Sequence, residues 1–212
     1  MSGDLGGLRL TYDRGTLDEG VLPADPLVLF GDWLAAAGEA GMREHYAMTL
    51  ATANAQGQPS ARIVLLRAWD ERGFVFYTNY GSRKGDELAE NPRAALLFFW
   101  DVLERQVRIE GRVEPVTPEE SDAYFARRPR GHRLSAWASP QSAVVESRAQ
   151  LETAMANAET EFTGDVPRPP YWGGYRVIAE HIEFWQGRPN RVHDRVTSAR
   201  GASDWTRERL AP

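Results

Sequence analysis

The sequence predicts a mainly β protein: an antiparallel β-barrel with helices at its periphery. Six to eight short runs rich in Val, Ile, Phe, Tyr, Trp and Thr recur between turn-forming clusters. Few helical patterns separate those runs, so successive strands pair antiparallel instead of through crossover helices. The 212 residues hold no internal repeat and no low-complexity tract, and the Pro-rich stretch 163–170 is too short to act as a domain linker. The expected organisation is a flexible arm over residues 1–20 and a single domain over 21–212.

Taken in order, residues 1–20 are polar and glycine-rich, with Arg9 and Tyr12 the notable side chains. Asp25-Pro26 opens a helix as N-cap and N1, with Leu27, Phe30, Trp33 and Leu34 at helical spacing and Gly38 or Gly41 as its end. Strands are expected from Ala47 to Ala53, Ser60 to Trp69 and Phe74 to Thr78, with turns at 54–59 and at Asp70-Glu-Arg-Gly73. Ser82 caps a short helix that ends at Asn91-Pro92. Ala94 to Trp100 and Gln106 to Val116 read as long apolar strands. Thr117-Pro-Glu-Glu120 has the N-cap, N1 proline and capping-box glutamate of a helix start. That helical region runs to about Ser139, and another spans Ser147 to Phe162. Strands return at Gly174 to Gln186, Asn190 to Thr197 and Trp205 to Leu210.

Composition narrows the chemistry. With no cysteine, there is no disulfide framework, thiolate nucleophile or Cys-type metal site. The four histidines lack metal-ligand spacing, and no Walker loop, G-x-S-x-G or G-x-G-x-x-G is present, so redox work would need an organic cofactor. A net charge of −5 argues against a general polyanion surface, yet basic residues cluster at 127–133 and 188–195. Local clusters in an acidic chain suit small phosphorylated ligands; solvated arginine-rich loops would look the same. No secretory signal and no apolar run of membrane length is visible, and a cytoplasmic protein is expected.

Four constellations stand out. Arg191-x-His193-x-Arg195 follows an aromatic strand end, and alternation in an extended chain puts all three on one face, suited to an anionic aromatic partner. Arg62 and Arg67, five apart on one strand, are expected on opposite faces, serving two anions or simply ending the strand. Tyr77-Thr78-Asn-Tyr-Gly-Ser82-Arg83-Lys84 leads into a helix N-terminus, a phosphate cradle whose basic first turn opposes the macrodipole. Tyr124 and Arg128, four apart on a helix, share a face and would grip a second anion or form a surface cation–π pair. Gln106, Gln141 and Ser142 add amide and hydroxyl groups in turns, a weak signal alone.

Together these segments resemble the pyridoxamine 5′-phosphate oxidase family of flavin enzymes. The resemblance covers nearly the whole chain and includes Arg62-Ile-Val-Leu-Leu66, Phe76-Tyr-Thr-Asn79, Gly81-Ser-Arg-Lys84 and Leu103-Glu-Arg-Gln-Val107. It continues through Arg128-Pro-Arg130, Gln141-Ser142, Tyr171-Trp-Gly-Gly174, Ile182-Glu-Phe-Trp-Gln-Gly187 and the ending Arg209-Leu-Ala-Pro212. It implies an FMN-binding split barrel and a homodimer with FMN at the subunit interface. By the same resemblance Arg62, Ile63, Val64, Leu65, Leu66, Arg67, Tyr77, Thr78, Ser82, Arg83, Lys84, Gln106, Gln141, Ser142, Trp185 and Arg195 look like the FMN site. Arg9, Tyr12, Arg67, Tyr124, Arg128, His132, Arg191 and His193 stand where the family holds substrate, with Arg191 and His193 nearest the chemistry.

The reaction implied is oxidation of pyridoxamine and pyridoxine 5′-phosphates to pyridoxal 5′-phosphate, with O2 as acceptor and H2O2 as product, plus ammonia from the amine. No nucleic-acid, membrane or metal partner is expected. Phenazine-type flavin oxidases share parts of the pattern and are the nearest rivals, and a non-catalytic flavin or vitamer carrier is a third reading. Two positions depart from the family: Arg67 stands where lysine is usual and His132 where serine is usual. Both keep positive potential available to a phosphate, the arginine as a planar fork and the histidine in a pH-dependent way.

Overall fold

Proline and aspartate set the first element. Asp25 accepts a hydrogen bond from the Leu27 N–H at 2.8 Å and Pro26 occupies the first turn of α1 (Pro26–Glu39), which buries Phe30, Trp33 and Leu34. Gly41, at φ 81°, follows the helix in the left-handed conformation that stops it. These features come from a computed structural model that describes Gly7 and residues 10–212, so Arg9 lies outside the described residues.

The strands are β1 (Ala47–Ala53), β2 (Pro59–Leu65), β3 (Ala68–Asp70), β4 (Gly73–Asn79), β5 (Arg93–Trp100), β6 (Arg105–Pro115), β7 (Trp172–Gln186), β8 (Asp194–Arg200) and β9 (Trp205–Leu210). Between them lie α2 (Arg83–Glu90), α3 (Pro118–Ala126), α4 (Arg130–Ala138) and α5 (Arg148–Glu161). The hydrogen-bonded order is β2-β1-β5-β6-β7-β4-β3, with β8 beside β7 and β9 beside β8. β3–β4, β4–β7, β7–β8 and β8–β9 are all antiparallel. The fold is thus the expected one, mainly antiparallel β with peripheral helices.

The chain divides into two compact units. One comprises 1–48, 96–110 and 180–212. Its core is aromatic: Phe30 meets Phe98 at 5.2 Å, and Trp33 meets Phe184 edge-on at 5.3 Å. The Trp100 indole N–H donates to the His45 carbonyl at 2.8 Å, so the one polar atom of that buried ring is satisfied. From Tyr12 onward the N-terminal segment joins this unit: the Leu17 N–H donates to Asp194 at 3.0 Å and Leu17 itself is buried.

The other unit comprises 49–95 and 111–179. Phe74, Val75 and Phe76 of β4 are buried, as a strand covered on both faces requires, and Val177 of β7, paired with Phe74, is buried too. A second cluster gathers Phe125, Leu134, Ala158, Val166 and Trp172. The expected helix 117–139 is two helices. Its start holds as read, with Thr117 and Glu120 exchanging both capping-box bonds, but Pro129 interrupts it after Arg127.

Two strand expectations are corrected. Ser60–Trp69 is not one strand: β2 ends at Leu65, Leu66 turns into the core, and the Arg67 N–H donates to the Val75 carbonyl at 2.9 Å. The chain there changes partners, from β1 to β4, so alternation breaks. Likewise Asn190–Thr197 begins only at Asp194, because Pro189–Arg191 forms a 3-10 turn with Asn190 at φ 58° and Arg191 at φ 63°.

Gly111 shows how closely β6 and β7 approach. A Cβ built there would lie 1.9 Å from the Ile178 carbonyl oxygen. Gly111→Ala should therefore cost about 2–3 kcal/mol or more through backbone displacement. The check is the urea midpoint of the variant against the parent; an unchanged midpoint contradicts the close approach.

Candidate active site

A cavity of about 630 Å³ opens in the unit formed by 49–95 and 111–179. The end of β2 supplies Arg62, Ile63, Val64 and Leu65, the crossover supplies Arg67, and the end of β4 supplies Tyr77 and Thr78. Lys84 enters from α2, Tyr124 and Arg128 from the end of α3, His132 from α4 and Gln141 from the following loop. Twelve residues expected at the site from sequence thus share one cavity. Arg62 and Arg67, expected on opposite faces, both line it, because the strand breaks between them.

Lys84 is the central cation. The loop 79–82 folds over the first turn of α2, so closely that a Cβ on Gly85 would meet the Tyr80 carbonyl at 1.9 Å. Lys84 is thereby buried and turned toward the end of β4. Its Nζ donates to Gln141 Oε1 at 2.6 Å, Ser82 Oγ at 2.9 Å and Thr78 Oγ1 at 3.0 Å. All three acceptors are neutral. Burial, with the like charge of Arg62 adding to it, pulls the ammonium down to about 8, against a smaller opposing pull from Glu87. Ser82, expected to face a ligand, is fully buried and donates to the Asn79 carbonyl at 2.7 Å.

Arg128 is the second. Its guanidinium carbon lies 4.6 Å from the Trp172 ring centroid, and its buried Nη1 has no hydrogen-bond partner. Burial lowers its pKa; Tyr124 opposes that shift and the like charge of Arg67 reinforces it. Arg128 lies just beyond α3, so the expected Tyr124–Arg128 helix-face pair is replaced. Arg127 lies over Tyr124 at 6.0 Å, and Arg128 lies over Trp172. The Tyr77 ring stacks on Tyr124 at 3.9 Å and on Trp172 at 5.5 Å, with all three rings within 10° of parallel. His132 is exposed at the cavity.

Arg62 and Arg83, by contrast, are committed to one carboxylate. Buried Glu87 accepts from Thr52 Oγ1 at 2.5 Å, Ser60 Oγ at 2.6 Å and Arg62 at 3.3 Å through one oxygen, and from Arg83 at 2.9 Å through the other. Burial raises its pKa, but the hydrogen bonds from Ser60, Thr52, Arg83 and Arg62 outweigh this and hold the carboxyl at about 2. Arg83 and Ser142 border a separate cavity of about 400 Å³ in the same unit, with Ser142 at φ 72°.

Leu66, also expected at the site, is buried in the core and does not line the cavity, while Tyr12, Gln106, Trp185, Arg191, His193 and Arg195 lie in the first unit. Gln106 is half-buried on β6. The His193 ring lies 4.6 Å from Trp185 and 5.8 Å from Tyr12, and its Nδ1 accepts the Arg188 N–H at 3.1 Å. Arg191 is exposed in the left-handed turn, so the single strand face for Arg191, His193 and Arg195 is not formed. Arg195 makes a two-pronged ion pair with buried Glu183 at 2.9 and 3.1 Å, which raises its pKa. Sequence reasoning assigned no role to Glu87 or Trp172. The Trp-Gly-Gly run was a usable signal, since a Cβ on Gly174 would lie 2.8 Å from the Tyr77 ring.

Residues 34–161 match the family described as pyridoxamine 5′-phosphate oxidase, and residues 172–212 match the pyridoxine 5′-phosphate oxidase C-terminal dimerisation region. The chain is 58% identical to the pyridoxine/pyridoxamine 5′-phosphate oxidase of Rubrobacter xylanophilus, over 99% of this chain and 97% of the relative. Against the Burkholderia cenocepacia protein of the same name the identity is 55%, over 98% and 99%. Among solved structures, PhzG from Burkholderia lata 383, in complex with tetrahydrophenazine-1-carboxylic acid, superposes with a TM-score of 0.86 at 34% identity, covering 91% of this chain and 95% of that one. A pyridoxamine 5′-phosphate oxidase-related, FMN binding protein from Nostoc punctiforme shares the fold at 16% identity, with a TM-score of 0.71 over 90% and 100%.

Lys84 carries a stability cost that pH exposes. Its folded pKa lies below its unfolded value, so between about 8 and 10.5 the unfolded chain binds more protons and stability rises with pH. Lys84→Met, free of ligand, should be more stable than the parent at pH 7 by about 1–3 kcal/mol. The difference should shrink as pH approaches 10.5. Urea midpoints at pH 7 and 10 check this; equal differences at both would contradict a desolvated ammonium.

Proposed function

The chain belongs to the pyridoxine/pyridoxamine 5′-phosphate oxidase family, and from that membership we propose an FMN-dependent oxidation of pyridoxamine and pyridoxine 5′-phosphates to pyridoxal 5′-phosphate. O2 is the final acceptor and H2O2 a product, with ammonia released from the amine by water. The observation that carries this reading is a cavity holding two cations, buried Lys84 and half-buried Arg128, against neutral partners. At a cavity wall, cations without a carboxylate partner suit an anionic ligand.

The residues fit FMN. Lys84 with Thr78 and Gln141 offers a charged and neutral polar set for its phosphate, and the exposed Ile63 on the β2 edge offers apolar surface and backbone groups for its ring. Arg62, Arg67, Tyr77, Arg83, Ser142, Gln106, Trp185 and Arg195 complete the proposed FMN set. Bound FMN supplies a two-electron acceptor that O2 returns to its oxidised state.

The chain's own residues bind and orient. Arg128, Tyr124 and Arg67 hold the substrate phosphate by charge-assisted hydrogen bonds, with His132 beside them. Arg191 and His193 orient the substrate ring, His193 held by its packing against Trp185 and Tyr12. The C-terminal dimerisation match supports a homodimer. A second reading, oxidation of a non-phosphorylated reduced phenazine carboxylate, is motivated by the Burkholderia lata PhzG relative. The arginine pair Arg67 and Arg128 favours a phosphate.

Oxygen uptake by the FMN-loaded protein tests both readings. We expect uptake and pyridoxal 5′-phosphate formation with either phosphorylated vitamer; uptake only with the reduced phenazine would overturn the first reading. Arg191→Ala and His193→Ala should lower turnover about a hundredfold while FMN stays bound. Lys84→Ala should weaken FMN about tenfold or more, as should loss of Arg195 to a smaller degree. An Arg191→Ala protein that loses FMN yet turns over normally when FMN is resupplied contradicts this division of roles.

A further inference from the structure

We propose that Trp172 is a positioning residue for substrate recognition: its ring holds Arg128 in place and so leaves the guanidinium edge free for a phosphate. The proposal rests on the assignment of Arg128 to the substrate phosphate.

An arginine at the wall of a cavity must be held by something. A carboxylate partner would orient it, but would use the same N–H donors and the same charge that a phosphate needs. That arrangement is seen elsewhere in the chain, where Glu87 takes Arg62 and Arg83 and Glu183 takes Arg195. Arg128 is different. Its guanidinium carbon is 4.6 Å from the Trp172 centroid and 5.6 Å from that of Phe125, and its buried Nη1 makes no hydrogen bond. An aromatic face attracts a cation through its quadrupole without occupying an N–H. The orienting force and the recognising edge are therefore separate.

Trp172 is itself fixed well enough to do this. It is the first residue of β7, paired in register with Asn79, and its carbonyl accepts from Arg168 at 2.6 Å. Its ring is buried in the cluster with Phe125 and Leu134 and stacks with Tyr77 and Tyr124. The same stack holds Tyr124, another proposed phosphate ligand, so one indole bears on two of them.

The test is equilibrium dialysis of the FMN-loaded protein against pyridoxal 5′-phosphate and, separately, against pyridoxal. The parent should bind the phosphorylated ligand more tightly. Trp172→Leu should weaken pyridoxal 5′-phosphate about tenfold and leave pyridoxal within about twofold. Trp172→Phe, which keeps an aromatic face and the fold, should lose only about threefold. Combined with Arg128→Ala, the Trp172 substitutions should add little further loss, since both remove one device. Equal weakening of both ligands by Trp172→Phe, or full additivity with Arg128→Ala, would overturn the role of Trp172 while leaving the phosphate site standing. A parent that does not distinguish the two ligands would overturn the phosphate assignment itself and this inference with it.

Discussion

The burial of positive charge against neutral groups is the constraint around which the cavity is organised. An ammonium or guanidinium taken out of water loses hydration that hydroxyls, amides and ring faces restore only in part. Lys84 shows the deficit, its pKa drawn down to about 8 among Thr78, Ser82 and Gln141. Arg128 shows it as a buried nitrogen without a partner. Elsewhere the chain sets carboxylates against such groups, as at Glu183 and Glu87. Their absence here is what an anion-binding cavity needs.

That contrast sorts the arginines by what their ends touch. Those held by carboxylates bring less net charge to a ligand. Those held by rings or neutral oxygens keep their full attraction for a ligand. Sequence motifs alone put Arg62, Arg83, Arg128 and Arg195 on one footing; the hydrogen-bond partners separate them.

Much of the architecture was legible because it is local. The Asp25-Pro26 and Thr117-Pro118-Glu120 signals depend on bonds within one helical turn, and both form as read. The hairpin at Asp70–Gly73 likewise rests on neighbours in sequence. The failures arise where a segment answers to something distant. Leu66 and Arg67 break the alternation because the chain leaves β1 and pairs with β4, as the Arg67 bond to Val75 records. Asn190 and Arg191 adopt left-handed backbone that no propensity favours for those residues together, so the expected run of three aligned side chains does not occur. The cavity residues were recognisable as motifs, but their convergence is a property of the pairing of β4 with β7. Trp172 and Glu87 escaped notice because one reads as a core aromatic and the other as an ordinary helix surface acid.

Glu87 has an implication for how this protein can change over generations. One of its oxygens receives Thr52, Ser60 and Arg62, while the other receives Arg83, so donors from β1, β2 and α2 converge on a single buried carboxylate. Replace any donor and the acid keeps its burial with less to offset it; replace the acid and several donors are stranded together. Tolerated variation at these five positions must therefore come in combinations. They form one heritable block, and descendants that differ at one of them should carry a compensating difference at another.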